Sequence, residues 1–221
     1  MAGARRLVRL TPDTLADLPE AVRRDLTWEC DPVEAARTSG AEAEERKRDW
    51  VSAMLLEWGS CGRVAYHHED PAGFIVYAPP SHLPGTQSFP TAPVSDDAVQ
   101  LATAMVFPGH QGWGLGRALV QVMARDLVRR GGVRAVEAIA RAGGEDDGQV
   151  AAPVPAEFLQ RVGFTTLRAH PRYPRLRLDL RSLVSWRDEV GTAWERLRDV
   201  VRPLGRPVPA SREAGLTDGR S

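Results

Sequence analysis

Val106-Phe107-Pro108-Gly109-His110-Gln111-Gly112-Trp113-Gly114-Leu115-Gly116-Arg117 is the stretch on which the reading of this chain turns. An alternating apolar run, Val99 to Phe107, leads into it as a central strand that Pro108 ends. Beyond it, Leu115, Leu119, Val122, Met123 and Leu127 recur at helical spacing to Arg130, and Gly131-Gly132 closes the helix. The order is therefore strand, glycine loop, helix. A helix start offers unpaired N–H groups and the positive end of a dipole, and glycines let main chain close around an anion, so phosphate is the natural guest.

Three phosphate-loop patterns compete for these residues. A Walker A loop needs Gly-Lys-Ser or Gly-Lys-Thr, and the chain's one lysine is the distant Lys47. A dinucleotide fingerprint finds two glycines in Gly112 and Gly114, but Arg117 stands where the third belongs, and no acidic residue follows at the expected distance. The third pattern, Gln-x-x-Gly-x-Gly, is met by Gln111, Gly114 and Gly116.

Working outward, a short strand at Leu7 to Leu10 precedes a helix capped by Thr11 or Asp13, with Leu15, Leu18 and Val22 on one face. Asp31 to Trp58 reads as helical; its charged stretch from Glu42 to Asp49 reads as a solvated face, and the stripe Trp50, Val51, Met54, Leu55, Trp58 as core. Gly62 to Tyr66 and Gly73 to Tyr77 form a hairpin. His67, His68, Glu69 and Asp70 fall in its turn, where adjacent side chains diverge, so they read as a turn and not as metal ligands. The proline-rich segment 78–97 reads as an ordered cover over a site. Val133 to Ala140 is a strand, 141–153 a loop, Pro155 to Val162 a helix stopped by Gly163, and Phe164 to Arg168 and Leu176 to Leu180 are strands. Together these give a mixed α/β sheet. An amphipathic helix over 182–204 (Trp186, Val190, Trp194, Leu197, Val201) either docks on the domain or pairs two copies as a homodimer, and 205–221 has the composition of a disordered tail.

The loop at Gln111, Gly114 and Gly116, after a strand ending Val-x-Pro, resembles the pyrophosphate loop of the GNAT N-acetyltransferase superfamily. Phe158-Leu159-Gln160-Arg161-Val162-Gly163-Phe164 looks like the late helix-Gly-Phe signature of that domain, and Tyr173 follows where many members place a tyrosine. The resemblance covers roughly residues 5 to 181, strongest from 99 to 173 and weak before 60, and implies a domain over 1–181; it departs at 141–153, where the usual Asn-containing link is missing. It implies a mostly antiparallel central sheet flanked by helices, here with the added C-terminal helix, and acetyl-CoA as acyl donor. Gln111 would belong to the cofactor loop, the amides of Gly112, Trp113, Gly114, Leu115, Gly116 and Arg117 would hold the pyrophosphate, and the strand edge Ala104, Met105, Val106 would pair with the pantetheine. A primary amine would attack the thioester directly. Tyr173 is either the acid that protonates the leaving thiolate or an aromatic plug between strands. Glu137, the one carboxylate of its strand, is either a base or the partner of an arginine. The alternative on the same fold is a CoA-sensing or interaction module without turnover; a nucleotide-binding domain of another class is a third reading.

Composition narrows the classes. The 221 residues carry 29 basic and 29 acidic side chains, so no cationic face for nucleic acid is implied. No run nears the roughly 18 apolar residues that span a bilayer, and the N-terminus lacks the apolar core of a secretory signal, so a cytoplasmic, membrane-free protein is expected. Two cysteines, Cys30 and Cys61, make no disulfide framework; Cys61 would be a nucleophile only with an activating base, which no motif supplies.

Overall fold

The computed structural model describes residues 5–143 and 152–181. The C-terminal helix and tail expected over 182–221, and most of the loop expected at 141–153, lie outside the described residues.

Strand β1 (Arg5–Arg9) leads to α1 (Pro12–Ala16). Thr11 caps that helix, taking the Thr14 amide at 3.3 Å, while the Thr14 hydroxyl takes the Thr11 amide at 2.9 Å. Next come α2 (Glu20–Arg23), α3 (Pro32–Arg37) and α4 (Gly40–Glu57). The single helix expected over Asp31 to Trp58 is thus two. Thr38 is extended, with its hydroxyl bonded to the Glu34 carbonyl at 2.9 Å, and Thr38-Ser39-Gly40 is a run of weak helix formers whose polar side chains compete for main-chain bonds. A second correction concerns the charged stretch of α4: Lys47 is buried, not solvated.

Strands β2 (Gly62–His67) and β3 (Asp70–Ala78) form the hairpin, tighter than the sequence suggests, turning on His68 and Glu69. After two short 3-10 turns at Pro80–His82 and Pro84–Ser88 come β4 (Ala98–Val106), α5 (Leu115–Arg130), β5 (Ala135–Arg141), the two-residue β6 (Val154–Pro155), α6 (Ala156–Arg161), β7 (Thr165–Arg168) and β8 (Arg175–Asp179). The sheet order is β1-β2-β3-β4-β5-β8-β7, with β6 on β5. Pairing is antiparallel except between β4 and β5 and between β5 and β6. The expected mixed, mostly antiparallel sheet flanked by helices is the observed one.

Helix α5 covers one face. Its buried Leu115, Leu119, Val120, Met123 and Leu127 pack on Ile75, Tyr77, Leu101 and Val136, each large side chain contributing about 1.5–3 kcal/mol relative to exposure. On the other face, Leu15, Val22, Trp28, Val51 and Met54 cover Val64, Phe74, Val76 and Ala102. Two irregularities of β4 position the site. Val76 pairs with Thr103 but Tyr77 with Leu101, so Ala102 is an extra residue, a bulge that reverses which side chains face α5. Leu101 packs toward α5 and Met105 toward the opposite face. In addition, β4 pairs with β5 only at Ala98 to Gln100, and beyond Gln100 the strands part.

Candidate active site

The parted strands, the β4–α5 turn and α6 enclose a cavity of about 490 Å³. The turn is built by main chain in conformations that side chains resist. Gly112 and Gly114 have φ of 78° and 76°, left-handed values that cost an L-residue roughly 1–2 kcal/mol. Gly114 stands at the N-cap of α5 with no side chain to take the first amides. The Ala118 amide pairs with the Gly114 carbonyl at 3.0 Å, which leaves the amides of Leu115, Gly116 and Arg117 without helical partners. All three residues line the cavity. Gly116 serves another need: a Cβ there would lie 2.9 Å from the Phe158 ring, so glycine lets α5 close on α6.

The cavity wall along β4 is Thr103 to Val106, with no strand pairing on that side; Val154, Pro155, Phe158 and Val162 form the apolar wall opposite. Its charged lining is cationic. Arg117, Arg141 and Arg161 border it, and no carboxylate does among the described residues. A polar, positive mouth joined to an apolar trough with a free strand edge suits a long ligand with an anionic head and an amide-bearing arm.

Of the residues picked from sequence, Ala104, Met105, Val106, Gln111, Gly112, Gly114, Leu115, Gly116 and Arg117 line this cavity. Trp113 does not. It is 43% exposed, its ring meeting His67 edge-on at 4.9 Å and His110 at 5.8 Å, outside the cavity wall. Glu137 also stands apart. It is fully buried in the stretch where β5 pairs with β4, with Arg177 Nη1 2.8 Å from Oε1, Arg175 Nη1 3.4 Å from Oε2 and the Ser95 amide donating to Oε2 at 3.2 Å. Arg177 in turn grips Asp97 with two bonds of 2.9 and 2.8 Å, and that guanidinium holds the Asp97 carboxyl below its usual range. Of the two sequence readings for Glu137, the arginine partnership is present in the structure.

Tyr173 lies one strand away from the cavity. Ala140 and Ala142 donate to the carbonyls of Pro174 (2.8 Å) and Arg172 (2.9 Å), which sets Tyr173 across the ladder from Arg141, a cavity residue. Its ring packs with Phe89 of the proline-rich segment, centroids 5.3 Å apart. The sequence reading missed Arg141 and Arg161 as cavity cations; the second sits in the Phe158–Phe164 signature, so a helical projection from Phe158 would have placed it near the glycine turn. Cys61 is buried, and burial pushes its thiol up to about 12, so it is no nucleophile. Among the described residues no group of three or more His, Cys, Asp or Glu is placed to hold a metal ion, and no helix is long and apolar enough to cross a membrane.

Solved structures share this fold. The N-acetyltransferase from Staphylococcus aureus Mu50 matches at a TM-score of 0.52 with 13% identity over 80% of this chain and 99% of that one. The loading GNATL domain of CurA from Lyngbya majuscula matches at 0.52 with 14% identity over 81% and 99%. No curated protein matches the sequence. The family model of the GNAT acetyltransferases matches residues 22–164, most of the chain and the whole cavity-forming region through Phe164, and the chain belongs to that family.

Proposed function

We propose that the chain is an N-acetyltransferase that moves an acetyl group from acetyl-CoA to a primary amine. The observation that carries this reading is the cavity at the start of α5: unpaired amides of Leu115 to Arg117, three arginines with no carboxylate beside them among the described residues, and the open edge of β4 leading inward. The diphosphate would take the amides and the arginines, and the arm would run along Ala104 to Val106. The amine nitrogen attacks the thioester carbon, the C–S bond breaks, and the departing sulfur takes a proton, which we assign to the Tyr173 hydroxyl. The attacking amine must be neutral, and with Glu137 held by arginines its proton passes to water. Residues 1–181 would form the donor-binding domain and the setting would be the cytoplasm, where acetyl-CoA is made and used.

Calorimetric titration of the full chain with acetyl-CoA tests the first half: binding is expected, and its absence at millimolar donor overturns the reading. Thiol release in the presence of primary amines tests the second. Binding without release under any amine would favour the non-catalytic CoA-sensing module, for which the engagement of Glu137 is the one structural argument.

A further inference from the structure

The turn that presents Tyr173 is held by a histidine. His170 Nδ1 accepts two main-chain hydrogen bonds, from the amides of Arg172 at 3.2 Å and Tyr173 at 3.0 Å. The imidazole lies parallel to the Tyr173 ring, centroids 6.3 Å and planes 14° apart. Phe89 meets the same ring edge-on at 5.3 Å, and the Thr91 hydroxyl donates to the Tyr173 carbonyl at 2.8 Å. Tyr173 is thus fixed through its main chain and ring, while no hydrogen bond ties its hydroxyl to a described residue. That is the arrangement a proton donor needs: a phenol aimed by its surroundings, with the O–H left for another partner.

We propose that His170 is a positioning residue for Tyr173, its neutral imidazole locking the 170–173 turn through Nδ1. This rests on the reading of Tyr173 as the acid of the transfer. An imidazole nitrogen accepts only while it carries no proton, so the working form is the tautomer with its proton on Nε2. Protonation of Nδ1 replaces the acceptor by a donor facing two donors, and the turn loosens. Among the described residues of this region, the Arg168 guanidinium bonds the Ala92 carbonyl at 3.2 Å and that of Arg172 lies 5.6 Å from the Tyr173 ring centre. The segment packed against the turn, Phe89-Pro90-Thr91-Ala92, brings no titratable side chain.

The test uses the full chain as wild type, His170→Ala, His170→Asn and Tyr173→Phe. Thiol release from acetyl-CoA is followed against pH with water, spermidine, lysine and tyramine as acceptors, and amide hydrogen exchange is read at Arg172 and Tyr173. His170→Ala is expected to speed exchange at both amides and to lower kcat about tenfold toward the Tyr173→Phe value, with KM for acetyl-CoA unchanged. His170→Asn is the rescue: an amide oxygen takes the same two N–H groups, so kcat and protection return while the acidic fall in rate attributed to the imidazole disappears. If Tyr173→Phe is impaired and His170→Ala is not, the positioning role is wrong and the tyrosine's role stands. If Tyr173→Phe matches the wild type, or the wild type releases no thiol with any acceptor, the tyrosine's role falls and takes this proposal with it.

Discussion

Lys47 Nζ stands 2.5 Å from Glu29 Oε1, the two side chains only 5% and 2% exposed, and donates also to the Asp25 carbonyl at 2.7 Å. Burial pushes the Glu29 carboxyl up, and the Lys47 ammonium works against that push. Removing one partner leaves a charge stranded. Lys47→Met is expected to cost about 3–5 kcal/mol in urea unfolding, and the double variant Lys47→Met with Glu29→Leu is expected to recover most of it, because the dehydration cost goes with the charges.

Gly114→Glu combines a strained φ with a carboxylate at a mouth lined by Arg117 and Arg161. The new charge pairs with the arginines and competes with an anionic guest. Titration of this variant with acetyl-CoA should give no heat, whereas Gly114→Ala, which carries only the strain, should fold with a loss of roughly 1–2 kcal/mol and bind more weakly.

Glu137→Gln separates a structural carboxylate from a catalytic one. The variant leaves Arg177 and Arg175 with a weaker acceptor in a buried place and should lose about 1–3 kcal/mol of stability. Its rate of thiol release, measured well below the unfolding temperature, should stay within about threefold of the parent; a loss of a hundredfold or more would restore Glu137 as the base.

Cys61 should be silent to alkylation. With the thiol up at about 12 and the side chain buried, iodoacetamide at neutral pH should label it only after denaturation. Cys30 is partly exposed and is also raised, first by burial and then by Glu34 and Glu29, so it should label slowly in the native chain. Peptide mapping by mass spectrometry distinguishes the two.

Tyr66 donates to Asp17 Oδ2 at 2.5 Å, and burial first, then this bond, push its phenol up to about 12. A hydroxyl raised in the fold contributes stability that is whole below its unfolded value, near 10, and is lost as pH climbs through 12. In ultraviolet titration the phenolate step near pH 12 should vanish in Tyr66→Phe, and that variant should lack this part of the alkaline loss of stability.

Much of this was legible in the sequence because it is local. Helix α5 begins at Leu115 and ends at Arg130 as its apolar spacing and flanking glycines require, and the turn before it takes the left-handed φ values that its glycines allow. What was not legible depends on contacts between distant segments. The burial of Lys47 follows from Glu29 arriving beneath α4 from 18 residues away, and the fate of Glu137 from two arginines on a strand that adds to the sheet much later. The place of the Trp113 ring has the same cause: it goes to His67 on the hairpin, a neighbour that no spacing within the glycine turn announces. The bulge at Ala102 has no signature at all in its own residues, since it arises from the register between β3 and β4.

Because β4 and β5 separate after three paired residues, this sheet has a seam through its middle rather than only edges at its rim. Any occupant that bonds along Ala104 to Val106 takes up the edge that β4 leaves open beyond that seam. Ligation and folding are then coupled through the same hydrogen bonds, so a filled molecule should melt later and cleave more slowly under protease than an empty one.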